Sequence, residues 1–330
     1  MRQRSSVSFP ADSQAAVRPR IDRRQTQVAR WIGETLASDP PRTRSLIVTM
    51  WGDALAPHGG HVWLTTLIRL MEPFGVSERL VRTSVFRLVR DGWLVGEARG
   101  RRSRYRLTAD GERRFAHAHQ RIYAPANGHW RGDWELVIAP PDAVDAGPRR
   151  ALFDELSWEG YGQVAPAVLA RPLDGASTAR DIIAALGLAS RVVLARAHDD
   201  PAGSGGLAAR ALAALPLATV AADYRRLIAR FGRVIDRFRA DAAALDPGQC
   251  FIVRTLLVHA YRRVLLRDPQ LPRTLLPADW PGNDAYALTR DFYRLTHAVA
   301  ERHLAAAFAA AGETLPRADP AFYQRFGGLR

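Results

Sequence analysis

A dense group of arginine side chains lies between Ser77 and Thr108, and guanidinium groups at this density are suited to binding phosphate. From Ser77 to Arg106 the chain has nine arginines and three acidic residues, so this segment alone accounts for six of the net +14 charges. A solvated helix surface also carries arginines, and charge alone therefore does not define a site. The arginines fall on a predicted helix and on a predicted hairpin after it, and this order favours a nucleic-acid interface.

The first part of this segment has the pattern of an amphipathic helix that begins at Ser77 and ends at Asp91-Gly92. Ser77 is a suitable N-cap, because its hydroxyl can accept a hydrogen bond from an amide of the first turn. Helical spacing predicts one buried apolar stripe, formed by Leu80, Val81, Val85, Leu88 and Val89. The residues predicted to contact DNA bases or phosphates from this helix are Ser77, Glu78, Arg79, Arg82, Thr83 and Arg87.

The second part of the segment has the pattern of a basic β-hairpin. Trp93–Val95 and Tyr105–Leu107 are predicted to be short strands on either side of a loop that contains glycine and arginine. A basic hairpin beside a basic helix is typical of the wing in winged helix-turn-helix proteins. The wing side chains predicted to touch phosphate or the minor groove are Arg99, Arg101, Arg102 and Arg104.

The neighbouring segments supply the other helices of such a domain. Ser45–Ala56 and Trp63–Met71 have helical apolar spacing, and Thr108–His119 is predicted to be a closing helix capped by its threonine. The predicted DNA-binding domain therefore spans residues 41–124. Residues 1–40 show little apolar periodicity before Trp31 and are predicted to be a disordered basic arm that could also contact DNA.

The predicted secondary structure changes twice along the rest of the chain. Five segments between residues 130 and 200 alternate strand, helix, strand, helix and strand, including one strand predicted at Val164–Ala170, and this order predicts a ferredoxin-like α/β sandwich. Residues 212–315 are predicted to be a helical domain, crossed by the proline-rich segment Asp268–Gly282. Trp280 in that segment is the candidate residue for lining a ligand pocket. The predicted fold class is therefore α+β with several domains.

Composition and motifs argue against several other classes of protein. The single cysteine, Cys250, lies in an apolar run and is predicted to be a buried structural thiol. We find neither a membrane-length apolar segment nor a secretory signal core, and we expect a cytoplasmic protein. No catalytic or metal-binding motif is evident, so neither metal nor cofactor is expected. Asp142 and Asp145 follow a predicted strand, where a metal-dependent nuclease could place carboxylates, but they have the pattern of turn residues.

Taken together, these residues give the chain a resemblance to the PaaX family, the repressors of phenylacetic acid degradation operons in bacteria. The resemblance spans about residues 40–300, is most specific in the first predicted domain and is looser in the middle one. The motifs that carry it are Ser45–Thr49, Gly52-Asp53, Gly59-Gly60, Val62–Leu64, Glu72–Gly75, Glu78–Leu94, Arg121–Tyr123, Gly160–Gly162 with Ala165-Pro166, and Leu275–Gly282.

The resemblance implies a homodimeric repressor that binds double-stranded operator DNA through a winged helix-turn-helix domain. It also implies that the middle domain is similar to Cas2 and that an aryl-acetyl-CoA, such as phenylacetyl-CoA, is the effector. No CoA-binding motif can be matched residue by residue. The alternatives at this point are a metal-dependent nuclease, an acyl-CoA hydrolase and a DNA-binding regulator without a small ligand.

Overall fold

The computed structural model describes residues 23–100, 102–124, 130–173, 177–198 and 206–329. Within these ranges the protein has an α+β fold with two antiparallel sheets and a helical C-terminal region. No single helix there combines the length and hydropathy needed to cross a bilayer, although the pair Leu207–Ala214 and Leu217–Ala240, bent by 57°, meets the criterion together.

The N-terminal region combines five helices in the described ranges with a three-stranded sheet of order β1-β3-β2. A π-helical stretch, Trp51–Leu55, and a 3-10 turn, Ala56–His58, continue the second helix. The strand β1 was not predicted, because a two-residue strand is defined by its pairing with β3 and not by its own sequence pattern. The elements are α1 (Arg23–Ser38), α2 (Thr43–Met50), β1 (Val62–Trp63), α3 (Leu64–Met71), α4 (Glu78–Arg90), β2 (Leu94–Arg99), β3 (Arg102–Leu107) and α5 (Ala109–Tyr123).

The prediction of a disordered arm through residue 40 is wrong for residues 23–38, which form α1. Val28 and Ile32, four residues apart, are buried where α1 packs on later helices, and Trp31 lies edge-on to Phe231 at 5.4 Å. The apolar stripe is short and interrupted by polar residues, and it gains stability from tertiary packing. The rest of the predicted arm, residues 1–22, lies outside the described residues.

The middle region has one more strand than predicted. Its four strands form an antiparallel sheet in the order β5-β6-β4-β7. The single strand predicted at Val164–Ala170 is instead part of a hairpin, because Pro166 has no backbone N–H to donate and the chain turns there. The elements are β4 (Asp133–Ile138), α6 (Ala146–Trp158), β5 (Gly162–Ala165), β6 (Val168–Pro172), α7 (Ala179–Ala185) and β7 (Val193–His198).

The C-terminal region is a helix bundle that extends past the predicted limit of residue 315. A 3-10 segment, Pro320–Gly327, follows the last long helix and buries Phe322 and Phe326. We call residues 316–329, which include it, the C-terminal segment. The helices are α8 (Leu207–Ala214), α9 (Leu217–Ala240), α10 (Pro247–Leu265) and α11 (Pro281–Ala309).

One continuous core joins the N-terminal and C-terminal regions that the sequence analysis treats as separate domains. Leu67 of α3, Val85 of α4, Phe251 of α10 and Tyr293 of α11 belong to the same buried cluster. The middle region has its own core, which includes Leu152. The N-terminal region is therefore fixed on the C-terminal helices.

The prediction of a buried structural thiol is confirmed. Cys250 is fully buried in α10. Burial raises the pKa of its thiol to about 12, so the nucleophilic thiolate is not populated near neutral pH.

Candidate nucleic-acid interface

The basic helix α4 begins where predicted. The Oγ atom of Ser77 accepts a hydrogen bond from the amide of Leu80 at 3.4 Å, and Gly75 takes a left-handed conformation in the preceding turn (φ +72°). The helix packs against α2 and α3. These contacts hold its opposite face toward solvent.

The buried stripe of α4 differs from the predicted one. Leu80 is 50% exposed and Val89 is 36% exposed, because each lies about 100° around the helix from the buried stripe. A small polar residue, Ser84, occupies the buried face instead. The buried residues are Val81, Ser84, Val85 and Leu88.

The solvent-facing side of α4 carries a compact set of DNA-contact candidates. Arg79, Thr83, Phe86 and Arg90 recur at intervals of four, three and four residues, so they share the face opposite the buried stripe. Arg79 is exposed, and its side chain makes no hydrogen bond or ion pair within the described part of the chain. The hydroxyl of Thr83 donates a hydrogen bond to the backbone carbonyl of Arg79 at 2.9 Å.

The other predicted helix residues are differently arranged. Glu78 holds Arg82 through its Oε1 atom, which lies 2.8 Å from Nε and 2.6 Å from Nη2. Arg82 therefore has to share or exchange this partner when it binds a phosphate or a base. Arg87 is exposed on the flank of the same surface.

Phe86 was not predicted as a site residue, yet 68% of its surface is exposed in the middle of the arginines. An aromatic side chain left in water gives up the stabilisation that burial provides, about 25 cal/mol per Å² of apolar surface. The available signal was its spacing of seven residues from Arg79, which places both on one helix face.

The predicted wing is a two-stranded hairpin whose paired positions run from Leu94 with Leu107 to Arg99 with Arg102. Gly100 begins the turn with a positive φ of 61°, a value that favours glycine. Arg101 lies outside the described residues, and only the backbone of Arg99 is described. Arg104 lies on the same strand face as Arg102.

Arg102 connects the hairpin to two other elements. Its guanidinium lies 5.2 Å from the ring centre of Trp63 in β1, and its Nη2 atom donates to the carbonyl of Ala311, beyond α11, at 3.2 Å. The hairpin is thus attached to the C-terminal region as well as to its own sheet.

The structure places the remaining candidates apart from this surface. Asp142 is exposed in a turn, and Asp145 precedes α6. In the part of the chain that the structure describes, no three His, Cys, Asp or Glu side chains are grouped to hold a metal ion. Trp280 caps α11 and is buried edge-on to Tyr224 at 6.2 Å, so it is a packing residue in this structure.

A buried ionic cluster lies behind the basic surface, and Asp53 is at its centre. Its Oδ1 atom accepts hydrogen bonds from the hydroxyls of Tyr123 at 2.7 Å and Tyr293 at 2.9 Å. Arg325 of the C-terminal segment lies 3.3 Å from the same oxygen and donates to the Asp53 carbonyl at 2.9 Å. Arg254 of α10 approaches Oδ2 to 3.3 Å, in contact but without an aligned hydrogen bond. We call these five residues the Asp53 cluster.

The Asp53 cluster forms part of the wall of a cavity of about 440 Å³ between the N-terminal region, α10 and the C-terminal segment. His119 of α5 also lines it. Burial, together with the nearby charge of Arg325, lowers the pKa of His119 to about 4, and its Nε2 atom accepts from Arg325 at 3.2 Å. The imidazole is therefore neutral near pH 7.

A solvent-facing basic helix, a basic hairpin and a partly open cavity behind them define a class of protein in which a surface suited to polyanions is combined with space for a small ligand. Two protein-family models match parts of this chain. A family model described as PaaX-like protein matches residues 42–111, and one described as PaaX-like protein C-terminal domain matches residues 215–306.

One curated relative matches most of the chain, and one solved structure is also similar to it. The transcriptional repressor PaaX of Escherichia coli (strain K12) is 34% identical over 291 residues, which cover 88% of this chain and 92% of the relative. A solved structure of the uncharacterized protein Rv0674 from Mycobacterium tuberculosis is 30% identical and covers 73% of this chain and 89% of that one, with a TM-score of 0.48.

The chain belongs to the PaaX family. This is a family of regulators and not of enzymes.

Proposed function

We propose that this chain is a cytoplasmic, DNA-binding transcriptional repressor of the PaaX type, and that it acts as a homodimer released from its operator by an aryl-acetyl-CoA such as phenylacetyl-CoA. The observation that carries the proposal is the solvent-facing side of α4, where Arg79 has unpaired donors beside Thr83 and Phe86. A helix of 13 residues is roughly 20 Å long, a length that fits a major groove.

The arrangement of elements supports a winged helix-turn-helix interpretation of the N-terminal region. Helix α3, a short turn and α4 follow one another, and the hairpin β2–β3 lies beyond α4. In this fold the second helix reads base edges while the wing contacts the backbone. We assign Arg79, Arg82, Thr83 and Arg87 to the groove, and Arg99, Arg101, Arg102 and Arg104 to phosphate or the minor groove, with Ser77 and Glu78 at the helix N-terminus.

The middle region is consistent with a ferredoxin-like fold similar to Cas2, because its chain order is strand, helix, strand, strand, helix, strand and its sheet order is β5-β6-β4-β7. In the proposed dimer two copies of α4 would reach major grooves about 34 Å apart on a pseudo-palindromic site. The effector would bind more tightly to a conformation that cannot hold this spacing, and so shift the population away from DNA.

The test of this proposal is a comparison of two duplexes. One is selected by the wild-type protein from a random pool, and the other is a scrambled duplex of equal composition, with dissociation constants measured by fluorescence anisotropy across salt concentrations. Arg79→Ala should weaken binding to the selected duplex by about 1–3 kcal/mol and affect the scrambled one less, because a bidentate base contact is lost. Arg104→Ala should weaken both equally and lower the salt slope by about one unit.

Arg225→Ala is the control for charge, since Arg225 lies on α9 and its ion pair with Asp279 is exposed. Equal losses on both duplexes for Arg79→Ala would contradict the base contact. If the wild-type protein selects no duplex, or if phenylacetyl-CoA added to the complex releases no more DNA than CoA does, the corresponding part of the proposal is wrong.

We expect Phe86 to read thymine. Apolar contact with the thymine C5 methyl group is one of the few uses for an exposed aromatic ring on a groove-facing helix surface. At one thymine of the selected duplex, replacement by deoxyuridine should weaken wild-type binding about fourfold, the value of one buried methyl group. Phe86→Ala should abolish this difference, while Val89→Ala, on the helix flank, should keep it. A wild-type protein indifferent to every such replacement would disprove the contact.

A further inference from the structure

The cavity behind the basic surface has walls from both ends of the chain. One wall is the continuous helical segment of α2, the π-helical stretch and the 3-10 turn, which contributes Val48, Gly52 and Ala56. The facing wall is α5, and Val258 of α10 and Phe322 of the C-terminal segment close the space between them. Its volume of about 440 Å³ lies within the range of small-molecule sites, about 300–1,000 Å³.

The walls are suited to an apolar and preferably aromatic body. Phe115 and Ala118 of α5 line the cavity together with Val48 and Val258, and Phe322 contributes another ring. The π-helical stretch brings Gly52 so close to α5 that a Cβ atom there would lie 2.7 Å from the Phe115 ring. Such a site binds compact hydrophobic groups, because they bury apolar surface there and match the shape of the cavity.

The charged residues of the Asp53 cluster that border the cavity are already paired with one another. Asp53 and Arg325 compensate each other, and His119 is neutral near pH 7 because its pKa is about 4. Glu112 and Asp319 are exposed, so water screens their charges. These groups leave the cavity without a strong net charge of their own.

Arg262 of α10 is the exception among the lining residues. Its Nη2 atom donates to the hydroxyl of Ser45 at 3.2 Å, but its Nε–H is buried and has no hydrogen-bond partner in the described chain. A buried donor without an acceptor costs about 1–3 kcal/mol. The Arg262 side chain lines the cavity, where an oxygen from a bound molecule would accept a charge-assisted hydrogen bond from its guanidinium.

We propose that this cavity binds a compact aromatic acyl group, with its ring between α2 and α5 and its carbonyl or carboxylate oxygen on the guanidinium of Arg262. The proposal deepens the proposed function, since it places the effector's acyl end within the fold. The same chemistry is offered by a free aryl carboxylate and by its CoA thioester, whose CoA portion would extend out of the cavity mouth.

The position of the cavity connects it to the hairpin. Arg106 and Leu107 at the end of β3 line it, and Nε of Arg106 donates to Glu97 of β2 at 3.1 Å. Leu107 is also paired with Leu94, where β2 begins. An occupant that presses on the end of β3 therefore acts on both strands that carry the wing arginines.

The experiment measures binding of phenylacetate, phenylacetyl-CoA and CoA by titration calorimetry, together with release of the selected duplex. Two variants change the cavity: Arg262→Gln removes the donor's charge, and Ala118→Leu fills the space. Arg263→Gln changes the neighbouring exposed arginine of α10 and is the control. We expect both cavity variants to weaken acyl-ligand binding at least about tenfold, and the control to bind as the wild-type protein does.

The outcomes distinguish the free acid from its CoA thioester as the ligand. They also distinguish failure of the binding site from failure of the proposed function. Binding of phenylacetate alone or of phenylacetyl-CoA alone identifies the source, provided that the cavity variants weaken it. Unchanged binding in both variants, equal binding of CoA, or no binding of either acyl compound to the wild-type protein overturns the site. If the acyl ligand binds with the expected variant pattern but releases no DNA, the site stands and ligand-controlled repression fails. If Ala118→Leu does not fold, Arg262→Gln with its Arg263→Gln control decides.

Discussion

Replacement of Asp53 by asparagine is expected to lower the free energy of unfolding by about 3–5 kcal/mol. Asp53 is 1% exposed, and it faces Arg254 and Arg325, which are also buried. Asparagine keeps the size and most of the hydrogen bonds but removes the negative charge. Two guanidinium groups would then be buried with less compensation, and burial of unpaired charge is among the most destabilising changes in a protein.

The measurement is urea unfolding followed by circular dichroism. Asp279→Asn is the control, because Asp279 pairs with Arg225 while 79% and 59% of their side-chain surfaces are exposed. The control should change stability by less than about 1 kcal/mol. Arg325→Met, added to Asp53→Asn, should recover part of the loss, since it removes one of the uncompensated charges. Equal effects of Asp53→Asn and the control would show that the cluster is not electrostatically coupled.

Replacement of Phe251 by alanine is expected to destabilise both ends of the chain by about 3–5 kcal/mol. Phe251 is fully buried in α10 and contacts Phe74, which precedes α4, with ring centres 6.4 Å apart. Both residues belong to the single core of the N-terminal and C-terminal regions. A cavity made in a C-terminal helix should therefore loosen α4.

Hydrogen exchange measured along the chain checks this coupling. Phe251→Ala should speed exchange of slow amides in α3 and α4 as well as in α10 and α11, and leave β4 nearly unchanged. Leu152→Ala is the matched control, because Leu152 is fully buried in the separate core of the middle region. It should show the reverse pattern. If Phe251→Ala leaves α4 protected, the two regions unfold independently and the inference of one cooperative unit is wrong.

Features that depend on a few neighbouring residues were predictable from the sequence. Ser77 and Thr108 are confirmed as N-caps, and their side chains accept the first-turn amides of Leu80 and Gly111. The basic helix and the hairpin strands also lie close to their predicted positions. Which of their arginines touch DNA stays a prediction, as does the role of Arg101, which lies outside the described residues.

Features that depend on distant partners were not predictable in the same way. Strand β1 exists only through its pairing with β3, and the π-helical stretch has no distinctive composition. The partners of Asp53 lie as far as 272 residues away. Phe322 and Phe326 are spaced by four residues and did carry a signal for a buried face, but nothing in that pattern identifies α5 and α11 as the surfaces they contact.

The C-terminal segment packs against residues that are made much earlier, and this has a consequence for synthesis. Arg325 is added to the growing chain long after Asp53, Tyr123 and the whole of the basic helix, yet it completes the packing around Asp53 and Tyr123. On the ribosome, the newly made N-terminal region therefore has an unfilled position and an incompletely neutralised carboxylate. Because that position is filled only once residue 325 has emerged, a prematurely terminated copy would have the arginines of α4 but not the completed scaffold that holds them.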